Sequence, residues 1–343
     1  MPEARAIGAV AIARNEGERL KACLRSLVGQ CDVVVYVDSG STDGSVAFAR
    51  ALGVEVVELD LSKPFSMARA RNAGFARLRE LRPGLARVQF VDGDCEVVAG
   101  WLEAASAWLD AHPQTVAVCG RRRERYPEKS IYNRLCNLEW NTPVGPAKSC
   151  GGDVLMRADA LAKSGGYNES LIAGEEPELC LRLRAAGGQI DRIAAEMTRH
   201  DAAILRFGSW WKRTVRGGYG ALDVYTRLRG TVPDADIPFH HLTTSAASWT
   251  DRWLALAALL VLGGAWLAGG WGALLGLLAA LGLPGVQALR IARGVRHRAE
   301  SAWDSLCYGV FTMLGKWAQR IGQRRYRRDV QAGRVIQIIE YKS

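Results

Sequence analysis

Apolar residues come in short runs along the first part of the chain, separated by stretches in which they recur every three or four positions. Ile7 to Ala13, Val33 to Val37, Val54 to Leu59 and Val88 to Val91 are mostly apolar runs bounded by polar or turn-forming residues, the pattern of buried strands. Between them, Leu20, Cys23, Leu24 and Leu27 mark one helix face, and a second helix opens near Lys63 to Asn72 and runs to about Leu81. Ser45 stands where it would cap the helix after the second strand. Trp101 to Ala111 predicts a helix, Val116 to Cys119 a strand, Val154 to Met156 a strand and Ala158 to Lys163 a short helix. Pro177 fits the first turn of a helix running to about Ala186. The stretch 121–148 is polar and irregular and yields no element. Strand and helix alternating at this spacing predict an α/β fold built on a doubly wound, mostly parallel sheet.

The pattern then changes. Arg206 to Tyr219 is an aromatic, basic helix, suited either to phosphates or to a membrane surface. From Trp253 to Leu289 no residue is charged. As one helix that block would be about 55 Å long, against a hydrocarbon core of about 30 Å. Gly269-Gly270 divides it, so a transmembrane hairpin is expected, with one tilted span as the rival. Arg227, Arg229 and Arg252 before the block, and Arg290, Arg293, Arg296 and Arg298 after it, favour both ends inside. Trp303, Leu306, Cys307, Val310, Phe311, Leu314, Trp317 and Ile321 recur at helical spacing beside Lys316, Arg320, Arg324 and Arg325. This reads as an amphipathic interfacial helix, or as a helix packed on the preceding domain. The resulting organisation is a catalytic domain over 1–230, a linker over 231–252, a hairpin over 253–289 and a basic tail over 290–343.

Charge sharpens this division. The formal net charge is +10, and from Arg290 to the end twelve Lys/Arg face four Asp/Glu. A basic tail beside an apolar block suits an anionic membrane surface, and no basic groove interleaved with aromatics argues for nucleic acid. The eight cysteines show no C-x-x-C spacing, so a zinc module is not expected and a reducing compartment is the simplest account. Ile7 to Ala13 is too short for a signal peptide's apolar region.

The chemistry gathers at predicted strand ends. Asp92-Gly93-Asp94 follows the fourth strand, and carboxylates two apart on an extended chain face the same way. Such oxygens suit Mg²⁺ or Mn²⁺, which also take phosphate oxygens. Asp38 and Asp43 close the second strand in a turn-rich stretch. Gly151-Gly152 marks a close backbone approach to a ligand or to another loop. Glu175-Glu176 precedes Pro177, near a helix N-terminus that favours an ionised carboxylate, the state a general base requires.

In this order the motifs resemble family 2 glycosyltransferases of the GT-A fold, from about Ile7 to Tyr225. The set is Ala13-Arg14-Asn15-Glu16; Asp38-Ser-Gly-Ser-Thr-Asp43-Gly-Ser; Ala70-Arg71-Asn72; Asp92-Gly-Asp94; Gly151-Gly152; and Glu175-Glu176-Pro-Glu178-Leu179. The resemblance implies an inverting, metal-dependent transferase acting on a nucleotide-sugar, a UDP- or GDP-sugar. Asp38, helped by Glu16 and Arg69 or Arg71, would bind base or ribose. Arg14, Asp43, Asn72, Gly151, Gly152 and Arg213 would line the donor site. Asp92 would contact ribose and metal, Asp94 would be the main metal ligand, and His200 would complete the shell. Glu176 would be the base, although Glu-Glu replaces the usual Glu-Asp and leaves Glu175 as its rival.

Processive relatives carry Q-x-x-R-W and several spans, whereas this chain offers Trp210-Trp211-Lys212-Arg213 and one apolar block. Transfer of a single sugar to a membrane-embedded acceptor, polyprenyl-diphosphate-linked, is therefore expected, at the inner (cytoplasmic) membrane with the catalytic domain cytosolic. Two other classes remain. A non-catalytic glycan-binding scaffold would be expected to lose the acidic motifs. A nucleotidyltransferase would be expected to carry a Gly-rich phosphate loop after the first strand.

Overall fold

The computed structural model describes residues 6–334. Residues 1–5 of the expected catalytic domain and 335–343 of the basic tail lie outside that range. The chain separates into two compact units, one of residues 6–126 and Glu139–Ala202, the other of Pro127–Leu138 and residues 203–334.

The first unit opens with β1 (Ile7–Ala13), α1 (Glu18–Leu27), β2 (Val33–Asp38), α2 (Ser45–Ala51), β3 (Glu55–Glu58), α3 (Met67–Leu81) and β4 (Arg87–Asp92). α1 buries Leu20, Cys23, Leu24 and Leu27, the face its periodicity predicts. α3 is capped by Ser66, whose hydroxyl accepts from the Arg69 amide. Ser45 does not cap α2: it is the first helical residue, after a left-handed Gly44, and its amide donates to Asp43. Along the chain follow β5 (Cys95–Val97), α4 (Trp101–Ala111), β6 (Thr115–Glu124), α5 (Ile131–Glu139, which belongs to the second unit except for Glu139), β7 (Gly145–Pro146), β8 (Val154–Arg157), α6 (Ala158–Lys163), α7 (Glu175–Ala185) and β9 (Gln189–His200).

The sheet order is β3-β2-β1-β4-β8-β6-β9-β5, with β7 also on β9. The first four strands are parallel, as expected from the alternation. The remainder corrects the expectation of a mostly parallel sheet. β8 runs antiparallel to both β4 and β6, β5 and β7 run antiparallel to β9, and only β6 and β9 pair parallel. Val154, Leu155 and Met156 are apolar and buried without alternation, so their pattern specifies burial and carries no strand direction. The stretch 121–148 is also ordered, holding the end of β6, α5 and β7.

The second unit contains α8 (Phe207–Leu228), α9 (His240–Ala247), α10 (Trp253–Val295) and α11 (Ala302–Gln331). One helical segment among the described residues, His240–Val295, is long and apolar enough to cross a membrane by length and composition. Helical geometry fails inside α10 at Ala268 (φ −141°) and Gly269 (φ 58°), a left-handed value that glycine tolerates. The parts on either side lie against each other. A Cβ on Gly272 would fall 2.0 Å from the Gly264 carbonyl oxygen, and one on Gly276 would fall 2.2 Å from that of Leu260. Trp253 Nε1 donates to the Ala280 carbonyl at 3.1 Å. Small residues thus let the two backbones touch. α11 packs the same way: Gly322 meets the Val215 carbonyl of α8, and Gly309 that of Ala288 on α10. Its buried face is Cys307, Met313, Ala318 and Tyr326, while Trp303, Val310, Leu314, Trp317 and Ile321 are exposed.

Candidate active site

Two loops at the C-terminal ends of β1 and β2 are stitched together. The Asn15 amide donates to Ser41 Oγ at 2.9 Å, and Asn15 Oδ1 accepts from the Thr42 amide at 2.7 Å. Asp43 accepts from the Gly17 amide at 2.8 Å and from Ser45. Burial acts on Asp43 to raise its carboxyl, but the Ser45 and Gly17 bonds outweigh it and hold it below the ordinary value. Asp38 is buried, accepting from the Tyr36 hydroxyl and the Gly40 and Ser41 amides. Glu16 is ion-paired with Arg19 at 2.6 Å, and Arg14 is exposed. Beside Asp38, the Ser39 hydroxyl is buried without a hydrogen-bond partner among the described residues.

The three α3 candidates part company. Arg69 donates to the carbonyls of Asp60, Lys63 and Pro64, and Asn72 clamps Tyr167 and Glu169; both hold loops. Arg71 alone enters the acidic centre. Its Nη2 meets Asp92 Oδ1 at 2.7 Å and its Nη1 meets Glu175 Oε1 at 2.6 Å, with the guanidinium only 2% exposed. Burial works to lower the Arg71 pKa, and Asp92 and Glu175 outweigh it, so the group stays charged. Asp92 is pushed up by burial, against the pull of Arg71.

Gly93 is required by packing, because a Cβ there would fall 2.5 Å from Ala13 Cβ. Beyond it, Asp94 Oδ2 lies 3.1 Å from His200 Nε2. His200 ends β9 between two partners, opposite Cys95 on β5 and Glu124 on β6. Its Nδ1 is 4.0 Å from Glu124 Oε2 and has no hydrogen-bond partner among the described residues. Burial raises the Glu124 carboxyl. Trp140 sets its ring edge-on to the imidazole, with centroids 4.6 Å apart. Asp94 and His200 thus stand together, while Asp92 turns to Arg71 and to Arg122, whose Nη2 is 3.7 Å away.

Gly152 closes on this centre. A Cβ there would fall 2.7 Å from Asp92 Oδ2 and 2.8 Å from Arg71 Nη2, so the close approach is to these side chains. Gly151 precedes it in a left-handed conformation. On α7, Glu176 Oε1 accepts from the Cys150 amide at 2.6 Å and from the thiols of Cys150 and Cys180. Arg213 lies on α8 in the second unit.

Sequence reasoning missed Arg122, Glu124 and Asp153. Asp153, fully buried, accepts from the Asp92 amide at 3.0 Å and from Thr198 Oγ1 at 2.7 Å, and its Oδ2 is ion-paired with Arg122 Nη2 at 2.8 Å. Register irregularities of β6 against β9 flank Arg121, and bulges of this kind re-aim side chains. The available signal was the run Arg121-Arg122-Arg123-Glu124, which continues a strand with charged residues on its inner face.

Residues 9–151 match the family model of Glycosyl transferase family 2. Over 335 residues the chain is 27% identical to the pre-mycofactocin glycosyltransferase of Mycobacterium tuberculosis, covering 92% of this chain and 63% of that protein. It is 31% identical over 166 residues to the succinoglycan biosynthesis protein ExoA of Rhizobium meliloti, covering 46% of this chain and 50% of that one. Among solved structures, the mannosyltransferase PcManGT of Pyrobaculum calidifontis, in complex with GDP-Man and Mn²⁺, superposes with a TM-score of 0.60 at 18% identity, covering 93% of this chain and 86% of that one. The α/β domain has a GT-A fold.

Proposed function

With residues 9–151 as a family 2 glycosyl transferase domain, we propose that the chain is an inverting, metal-dependent glycosyltransferase moving one sugar from a nucleotide-sugar to a membrane-embedded glycan acceptor. The observation that carries this reading is the placement of Asp94 beside His200, at the edge where Arg71 joins Asp92 to Glu175.

The donor set suits a divalent cation: one carboxylate and one imidazole side by side, with the unpaired Nδ1 of His200 facing Glu124 as an outer support. Asp94 and His200 would hold Mn²⁺ or Mg²⁺, with Asp92 nearby. Bound there, the cation supplies positive charge against the departing nucleoside diphosphate. The protein's own residues do the rest. Asp38 and the stitched loops form the base and ribose edge, together with Glu16, Arg14, Asp43 and the unpartnered Ser39 hydroxyl. Arg71 fixes Asp92 and Glu175 in one geometry. Glu176 takes the proton of the acceptor hydroxyl, and Glu175 positions Arg71. One carboxylate base opposite a stabilised leaving group suffices for single displacement with inversion.

The second unit anchors the enzyme. The two halves of α10 form a transmembrane hairpin, supported by the Ala268–Gly269 break and the glycine contacts across it. The exposed apolar face of α11 lies in the interface beside its arginines, and the flanking basic residues keep the catalytic domain cytosolic. The acceptor is then a polyprenyl-diphosphate-linked saccharide of a surface-glycan pathway, the class of process the Rhizobium relative's name describes.

The test is donor turnover by detergent-solubilised protein with UDP-, GDP-, CDP- and dTDP-sugars. Nucleoside diphosphate release with one class, requiring Mn²⁺ or Mg²⁺ and abolished by EDTA, is expected. Absence of release and of ligand-dependent thermal stabilisation with every donor, in folded protein, would overturn the enzymatic reading in favour of a non-catalytic scaffold.

A further inference from the structure

A second group of ligand-type side chains stands behind Glu176, and the transfer chemistry above does not use it. Cys180 follows Glu176 by one helical turn on α7, so both project from one face. Cys150 comes from the loop before β8. Glu176 Oε1 lies 3.1 Å from Cys150 Sγ and 2.9 Å from Cys180 Sγ, and the two sulfurs are 3.5 Å apart. All three residues are buried, and their ligand atoms lie within 4.8 Å of one another. Two thiols and one carboxylate oxygen form a soft donor set, unlike the oxygen and imidazole pair of Asp94 and His200.

We propose that Cys150, Glu176 and Cys180 bind a thiophilic divalent cation of the zinc class, and that its binding withdraws the Glu176 carboxylate from acceptor chemistry. The distances suit this occupant. Tetrahedral zinc, with Zn–S about 2.3 Å and Zn–O about 2.0 Å, holds two sulfurs about 3.8 Å apart and each sulfur about 3.5 Å from the oxygen. The observed 3.5, 3.1 and 2.9 Å reach those values by small outward shifts. On binding, the two thiol protons leave to solvent, the two thiolates and the carboxylate occupy three positions, and the fourth stays open to water. Access runs through the Cys150 loop, where Ser149 and Gly151 are exposed and Gly151 is left-handed.

The effect on catalysis rests on Glu176 being the base; the binding does not. The experiment uses the full chain with its thiols reduced. Zn²⁺ binding is measured by competition with a chromogenic chelator, and Co²⁺ is added as a spectroscopic probe. One equivalent of zinc that depends on the two thiols is expected, besides any taken up at Asp94 and His200, together with a thiolate-to-cobalt charge-transfer band. Both should persist in Asp94→Asn and in the control Cys31→Ser. Affinity should fall at least tenfold in Cys150→Ser and in Cys180→Ser. Zinc should inhibit transfer in the presence of excess Mn²⁺, and this inhibition should be lost in Cys180→Ser. Equal zinc affinity in the cysteine variants, absence of the charge-transfer band, or a Cys150–Cys180 disulfide in metal-free protein that takes up no zinc would each overturn the site. Tight, thiolate-dependent zinc without inhibition would keep the site and overturn Glu176 as the base.

Discussion

Arg71 and Glu175, 104 residues apart in sequence, meet at 2.6 Å in the interior of the first unit. The same guanidinium holds Asp92, so the strand that ends in the acidic motif and the helix that begins with the glutamates share one buried cation. Removing one partner of a buried ion pair leaves an uncompensated charge, which costs about 3–5 kcal/mol. Arg71→Met is therefore expected to lower the unfolding free energy by that amount, read as a lower urea midpoint at unchanged slope, and to abolish transfer. A shift no larger than that of an exposed arginine variant would show that the pairings contribute little.

Asp94 and His200 should respond as a pair. Asp94→Asn is expected to reduce transfer roughly 10²–10³-fold, the size seen when one charge-stabilising group is removed. His200→Gln should weaken Mn²⁺ by at least the roughly 10–100-fold that losing an outer partner of a metal ligand costs, while leaving the fold intact. Metal titration followed by donor hydrolysis measures both. Unchanged Mn²⁺ dependence in His200→Gln would exclude it from the metal shell.

Gly152→Ala tests how tightly the loop closes. The added methyl group would arrive 2.7 Å from Asp92 Oδ2 and 2.8 Å from Arg71 Nη2. Overpacking of this kind costs about 1–3 kcal/mol. The expected signature is a raised KM for the donor with a modest drop in melting temperature. Wild-type KM would mean that the loop moves aside freely.

The second unit carries a pH-sensitive contact of its own. Asp251 accepts from Arg320 Nε at 2.9 Å and from Arg324 Nη2 at 2.8 Å. The Arg320 bond and charge, then Arg324, hold its carboxyl below the ordinary 3.8, with burial opposing. A lowered carboxylate contributes stability that is fully present above 3.8 and is lost as pH falls through the lower folded value. Because the carboxylate is 33% exposed, Asp251→Asn should cost only about 0.5–1 kcal/mol at neutral pH. The melting-temperature gap between wild type and variant should close in acid. A gap independent of pH would assign the loss to packing.

What was readable in the sequence is what apolar runs announce. β1 and β2 are near-continuous apolar strands and β4 is apolar at Val88, Phe90 and Val91, so Asp38 and Asp92 at the ends of β2 and β4 are easy to place. β9 was hidden because it buries Asp191 and Arg192, each bonded by partners that only the fold supplies. Its apolar signal is broken, so nothing in the pattern announces the strand that His200 ends. The charged run at the end of β6 hid Arg122 and Glu124 for the same reason. Asp153 was visible beside two glycines, but its meaning depends on Asp92, Thr198 and Arg122 converging from three strands. Among the α3 candidates, sequence spacing could not separate Arg71, which faces the carboxylates, from Arg69 and Asn72, which tie down loops.

The stitching of Asn15 to Ser41 and Thr42, and of Gly17 to Asp43, has a thermodynamic consequence. Two loops joined by reciprocal bonds cannot order or disorder separately, so their entropy is surrendered during folding rather than on encounter with a nucleotide. Calorimetric titration with a nucleotide should accordingly return a heat-capacity change proportional to the small area the ligand itself covers. It should lack the large negative excess that accompanies coupled folding.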